Sequence, residues 1–223
     1  MEKSEAVSAD GKTKETKEVV TDSSGEIKVT DTKETTEGST TKTEEVSQTL
    51  DENGKIMETK QKTITEDPEA GKKSEKEFIW NADGEVETAK QVETAKVGTS
   101  TVVDTVIENK DGSNLTSTET TKKDGTVTFT QEENKADGTK IETDKKTKPN
   151  GDYSKAETIT NPDGKVAVEM GVKTGDTTVT TTFVQNSSST GSVTMTGQSA
   201  TKTKKVKKLL LLLYRSRRQK QMS

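Results

Sequence analysis

The chain contains neither cysteine nor histidine. Without thiols there are no disulfides, no zinc–thiolate sites and no thiol nucleophile. Without imidazole, the commonest general base and the commonest metal ligand at neutral pH are missing. Apolar side chains are scarce as well. Only 24% of residues are hydrophobic and 3% aromatic, whereas a soluble domain is roughly 45–50% apolar when Gly is counted, so a large two-layer core cannot be assembled. No apolar run approaches the roughly 20 residues of a membrane-spanning helix. The opening Met1-Glu2-Lys3-Ser4-Glu5 lacks the basic and apolar regions of a secretory signal. A soluble, cytoplasmic product is the resulting expectation.

Catalytic motifs are equally sparse. There is no GxxxxGK[ST] loop, no GxGxxG opening a helix and no GxSxG elbow. Ser199-Ala200-Thr201-Lys202 fits a Ser-x-x-Lys pattern, but it sits in a polar stretch without partner motifs. None of the Asp-Gly pairs carries the alternating oxygen ligands and closing Glu of a calcium loop. No enzyme activity, catalytic residue, cofactor or metal is expected.

What the chain does have is threonine, about a fifth of all residues, together with a beat of glycines. Branching at Cβ restricts χ1 and favours extended backbone. Turn dipeptides stand at Asp111-Gly112, Asp124-Gly125, Asp137-Gly138, Asn150-Gly151 and Asp163-Gly164, each 13 residues after the last, with Gly175-Asp176 following 12 on. Asp-Gly and Asn-Gly suit a two-residue type I′ turn with both central residues at positive φ. The interval then reads as about eleven residues of strand plus two of turn. Earlier in the chain the corners are Asp10-Gly11, Ser24-Gly25, Glu37-Gly38, Asn53-Gly54, Ala70-Gly71, Asp83-Gly84 and Val97-Gly98. Glu37-Gly38 and Val97-Gly98 would set a costly Cβ at positive φ, which predicts longer loops or bulges there.

Between corners the apolar residues alternate, as in Ile27 and Val29, Val127 and Phe129, Val166, Val168 and Met170, and Val193 and Met195. This period belongs to a strand with one better-protected face. Phe78-Ile79-Trp80 and Val102-Val103 with Val106-Ile107 break it by placing apolar groups on both faces. They mark a strand covered on two sides or a contact with another chain. Short turns join only antiparallel neighbours. The expected fold is therefore mainly β: a repetitive antiparallel β-meander, a single-layer or loosely curled sheet, with disordered ends. Over Val86 to Val97, with its Glu-Thr-Ala-Lys text, a short helix competes with strand.

Four segments follow: irregular Thr/Lys/Glu-rich β repeats over 1–110, regular 13-residue hairpin repeats over 111–185, a Ser/Thr/Gly-rich linker over 186–203 and a basic tail over 204–223. From Lys202 onward there are nine Lys or Arg and no acid; the whole chain has 35 basic and 39 acidic residues, so the rest carries 26 against 39, a net of −13. Within the tail, Lys204, Lys205, Lys207 and Lys208 precede the Leu209 to Leu213 run, and Arg215, Arg217 and Arg218 follow it. As a helix the six apolar residues from Leu209 to Tyr214 cover about 9 Å, too short to span a membrane but suited to an anionic membrane surface or nucleic acid. The same leucine run is what a one-base frame slip in lysine codons would produce from Thr-Ile text.

Ala136-Asp137-Gly138-Thr139-Lys140-Ile141-Glu142-Thr143 resembles the solvent-exposed single-layer sheets of spirochaete outer-surface lipoproteins. That resemblance implies an exposed sheet; the lipidated cysteine of those proteins has no counterpart here. Residues 149–153 and 161–164 are also similar to the tyrosine–aspartate repeats of large secreted shell proteins, although most repeats here have no tyrosine. The functional expectation is a non-enzymatic structural or interaction protein, a fragment of a longer repeat protein, that self-associates through sheet edges. The competing expectation is a disordered acidic chain tethered by its basic tail to a membrane surface or nucleic acid.

Overall fold

A computed structural model describes residues 1–185 and 200–202. All of its regular structure is strand: β1 (Glu2–Val7), β2 (Thr13–Thr21), β3 (Ile27–Glu37), β4 (Thr40–Leu50), β5 (Ile56–Asp67), β6 (Lys72–Asn81), β7 (Val86–Val97), β8 (Ser100–Asn109), β9 (Asn114–Thr121), β10 (Val127–Asn134), β11 (Lys140–Thr147), β12 (Tyr153–Thr160), β13 (Val166–Thr174), β14 (Thr177–Gln185) and β15 (Ala200–Lys202). Strand order follows sequence order. The expected antiparallel meander is the observed fold. Val86–Val97 is strand β7, paired with β6 and β8, and not a helix. Its helix-favouring Ala, Glu and Lys are outweighed by ladders on both sides, the one with β6 broken by a bulge at Glu87.

The chain divides into two units. The first comprises Met1–Thr121 with Glu133–Ala136, the second Lys122–Glu132 with Asp137–Ser223. Within each unit the substantial contacts of a strand are with its sequence neighbours. No apolar side chain among the described residues is buried, and the buried polar ones are Ser47, Thr126, Thr139 and Thr143. Each unit is thus a single layer held by ladder bonds and cross-strand side-chain pairs. The expected better-protected apolar face holds only in part: Ile27, Val29, Val127, Phe129, Val166 and Val168 are half-buried, whereas Met170 is 51% exposed. Phe78 and Trp80 do lie on the face opposite Ile79, yet no second layer within the unit covers either side.

The corners differ in kind from the expected type I′ turns. Among the described residues every positive φ belongs to a glycine, so the preceding Asp or Asn never takes one. In the corner after β2, Gly25 N–H donates to Asp22 O at 3.3 Å and Asp22 N–H to Glu26 O at 3.0 Å, with Gly25 at φ 88°. With Ser23 and Ser24 both at negative φ, this is a type I turn closed by a glycine bulge. Ala82-Asp83-Gly84, Lys110-Asp111-Gly112, Lys123-Asp124-Gly125, Pro149-Asn150-Gly151 and Pro162-Asp163-Gly164 repeat the pattern. Asp precedes Gly for a different reason than φ: its carboxylate accepts the N–H two residues on, as from Asp111 to Ser113 (2.9 Å), Asp124 to Thr126 (2.8 Å) and Asp163 to Lys165 (3.0 Å).

The corners expected to be long are the tight ones. Glu37 pairs with Thr40 and Val97 with Ser100, leaving Gly38-Ser39 and Gly98-Thr99 as two-residue connections. Gly38 has φ 59° and Gly98 φ 61°, while the residue after each has negative φ, which is type II′ geometry. Glu37 and Val97 are the last strand residues before the turn, so neither strains its Cβ.

Candidate interaction surfaces

Two faces in the first unit are covered by charge. Register places Glu45, Lys62, Glu77 and Lys90 side by side across β4 to β7, an alternating row. Lys62 Nζ lies 3.1 Å from Glu75 and Lys60 Nζ 2.9 Å from Glu77, both diagonal across β5 and β6. The Glu77 carboxylate raises the pKa of the Lys60 ammonium. On the other face an open depression is lined by Glu15, Lys17, Asp31, Lys33, Glu44 and Val46, with Lys33 3.4 Å from Glu15.

The second unit has two unlike faces. One carries Tyr153, Lys155, Glu157, Glu169 and Lys173, with the Lys145 ammonium 5.4 Å from the Tyr153 ring centre. The other is set by direct pairing across β12, β13 and β14: Ser154–Val172–Val179, Ala156–Met170–Thr181, Thr158–Val168–Phe183 and Thr160–Val166–Gln185. None of these twelve positions is charged, in a chain that is 33% charged. Charge returns only at β11, where Lys140, Glu142, Asp144 and Lys146 share this face. An open depression runs along it past Thr130, Asp144, Ala156, Met170 and Val172.

The tail residues singled out in the sequence, Lys204, Lys205, Lys207, Lys208, Leu209, Leu213, Arg215, Arg217 and Arg218, lie outside the described residues, as do Val193 and Met195. The uncharged face of β12 to β14 was missed. Val166, Val168 and Met170 gave its central stripe in the sequence, but its shoulders come from register with β12 and β14. No group of three or more acidic residues among the described residues is arranged to hold a metal ion. No helix among them is long and apolar enough to cross a membrane. No family model, no curated protein and no solved structure matches this chain.

Proposed function

We propose that the protein is a non-enzymatic structural or interaction protein whose working parts are the faces and edges of a polar, repetitive sheet. One observation carries this reading: no apolar side chain among the described residues is buried. A sheet that spends none of its surface on a core keeps both faces available to partners, and its outer strands keep open backbone groups. The first-unit edge strand β1 bears Glu2, Lys3 and Glu5, an alternation of sign that disfavours indiscriminate edge pairing. Its lysines and acids are matched to one another across strands, which supports a role in display and spacing over one in chemistry.

Amide hydrogen exchange on the full chain tests the proposal. Slow exchange in β2 to β8 and in β11 to β14, with fast exchange at the corners, is the expected result. Uniformly fast exchange overturns it and leaves the tethered, disordered acidic chain.

A further inference from the structure

We propose that the uncharged face of β12, β13 and β14 is a self-association surface, on which a second copy of this chain lays the same face to form a local two-layer sandwich. This rests on the reading of the protein as an interaction sheet and names its partner. Two observations point to a second copy, and a third bounds the strength of the contact.

The first is the absence of charge. All twelve face positions of three adjacent strands are apolar or hydroxyl, amide or methyl-sized groups, while the reverse face of the same strands carries Lys155, Glu157, Glu169 and Lys173. A copy of this face brings no unpaired charge into the contact, which is the costly mistake in a dry interface. The Thr, Ser and Gln groups lie on the shoulders, while the centre is the unbroken stripe Val166, Val168, Met170 and Val172.

The second is shape. A two-fold axis running along β13 between the layers sets that stripe against itself and β12 against β14 of the other copy. Small then meets large: Thr158 opposes Phe183, Ser154 opposes Val179 and Ala156 opposes Thr181. Interdigitation of large and small side chains is what aligned sheet packing at a spacing of about 10 Å requires. The charged β11 positions Lys140, Glu142, Asp144 and Lys146 border the contact, one strand spacing beyond β12. Lys140 is already neutralised there, 3.3 Å from Glu132 and 3.1 Å from Glu142.

The third is size. Three strands about 4.8 Å apart and four face positions about 6.8 Å apart give a patch of roughly 350 Å². A standard stable interface buries about 800 Å² per partner. At less than half that area the patch predicts weak, reversible association, with the exposed Met170 and Val172 at the contact.

Sedimentation equilibrium of the full chain, from about 5 µM to about 1 mM, tests this directly. The expected result is a monomer–dimer equilibrium that Met170→Lys weakens at least tenfold, and Val172→Thr weakens severalfold while keeping a β-branched side chain. Amide protection in β11 to β14, the strands of the second unit that carry the substitutions, shows whether each variant is still folded. Because the chain has no cysteine, oxidation of a Met170→Cys variant should yield a linked dimer, and a Lys146→Cys variant should yield little. A folded chain that stays monomeric throughout overturns the inference and leaves the interaction reading standing. So does a dimer indifferent to Met170→Lys. So does concentration-independent protection of β13 that truncation after Lys202 abolishes, which would put the chain's own tail on the face.

Discussion

Asp152 Oδ1 accepts the N–H of Gly175 at 2.6 Å, tying the corner between β11 and β12 to the corner between β13 and β14. In a layer without a core, such links between successive corners substitute for packing. The Gly175 N–H, then the Asn150 side chain, then the charges of Lys148 and Lys173 hold the Asp152 carboxyl below the usual carboxylate range. A group whose folded pKa is depressed stabilises above its unfolded pKa and loses that contribution as pH falls through the folded value. Gly175 should therefore keep its amide protection at neutral pH and lose it only as the pH falls below the ordinary aspartate range. Asp152→Ala should remove the protection at every pH, and Asp152→Asn should keep part of it without the acid dependence. Protection factors measured across a pH series check this; a pH-independent wild type contradicts it.

Turn class makes a sharper prediction. Ala82 opens the Ala82-Asp83-Gly84 loop, the place that Pro149 and Pro162 occupy in their own corners. Proline presets φ near −65° for that position of a type I turn. Ala82→Pro should raise stability by about 0.4–1 kcal/mol, read from urea unfolding. In a two-residue type I′ turn, Ala82 would instead be the last strand residue, its N–H needed by the ladder, and the same change would destabilise.

Two glycines of the second unit should respond oppositely to alanine. Gly171 lies mid-strand in β13, and a Cβ there would meet Tyr153 Cε2 at 3.8 Å, an ordinary contact. Gly171→Ala should stabilise by about 0.5–1 kcal/mol. Gly175 has φ +56° with nothing near its Cβ position, so Gly175→Ala meets only backbone strain and should cost about 1–2 kcal/mol. Equal effects at the two sites would refute the assigned backbone geometry.

The diagonal pair Lys60–Glu77 has side chains 37% and 17% exposed. A double-mutant cycle through Lys60→Met and Glu77→Gln should give a coupling of about 0.2–1 kcal/mol that shrinks as salt is added. No measurable coupling at low salt would mean the charged face adds nothing to stability.

Much of this fold is legible in the sequence, and for a definite reason. Glycine alone reaches positive φ cheaply, so the corners stand at Gly25, Gly54, Gly112 and Gly151 where the text has them. The class of each corner is harder to read. Asp-Gly is compatible both with type I′ and with a type I turn plus bulge, and the choice rests on whether Asp bonds the amide two residues on. Glu37-Gly38 misleads because the turn begins at Gly38 rather than ending there. Over Val86–Val97 local propensity admits a short helix beside strand, and pairing on both sides decides for strand. The uncharged face of β12 to β14 is invisible strand by strand. Folding the text about Gly164 and Gly175 in register would have aligned Ala156, Met170 and Thr181.

A cooperative β-sheet in which no apolar side chain among the described residues is buried is tested most directly by the heat-capacity change of its unfolding. Ordinary domains show about 12–15 cal/mol/K per residue, because unfolding exposes apolar surface. Scanning calorimetry of the full chain should show a resolved transition with a per-residue value well below that range. An ordinary value would reveal a hidden core or second layer, and the absence of any transition would mean the strands are not a folded sheet.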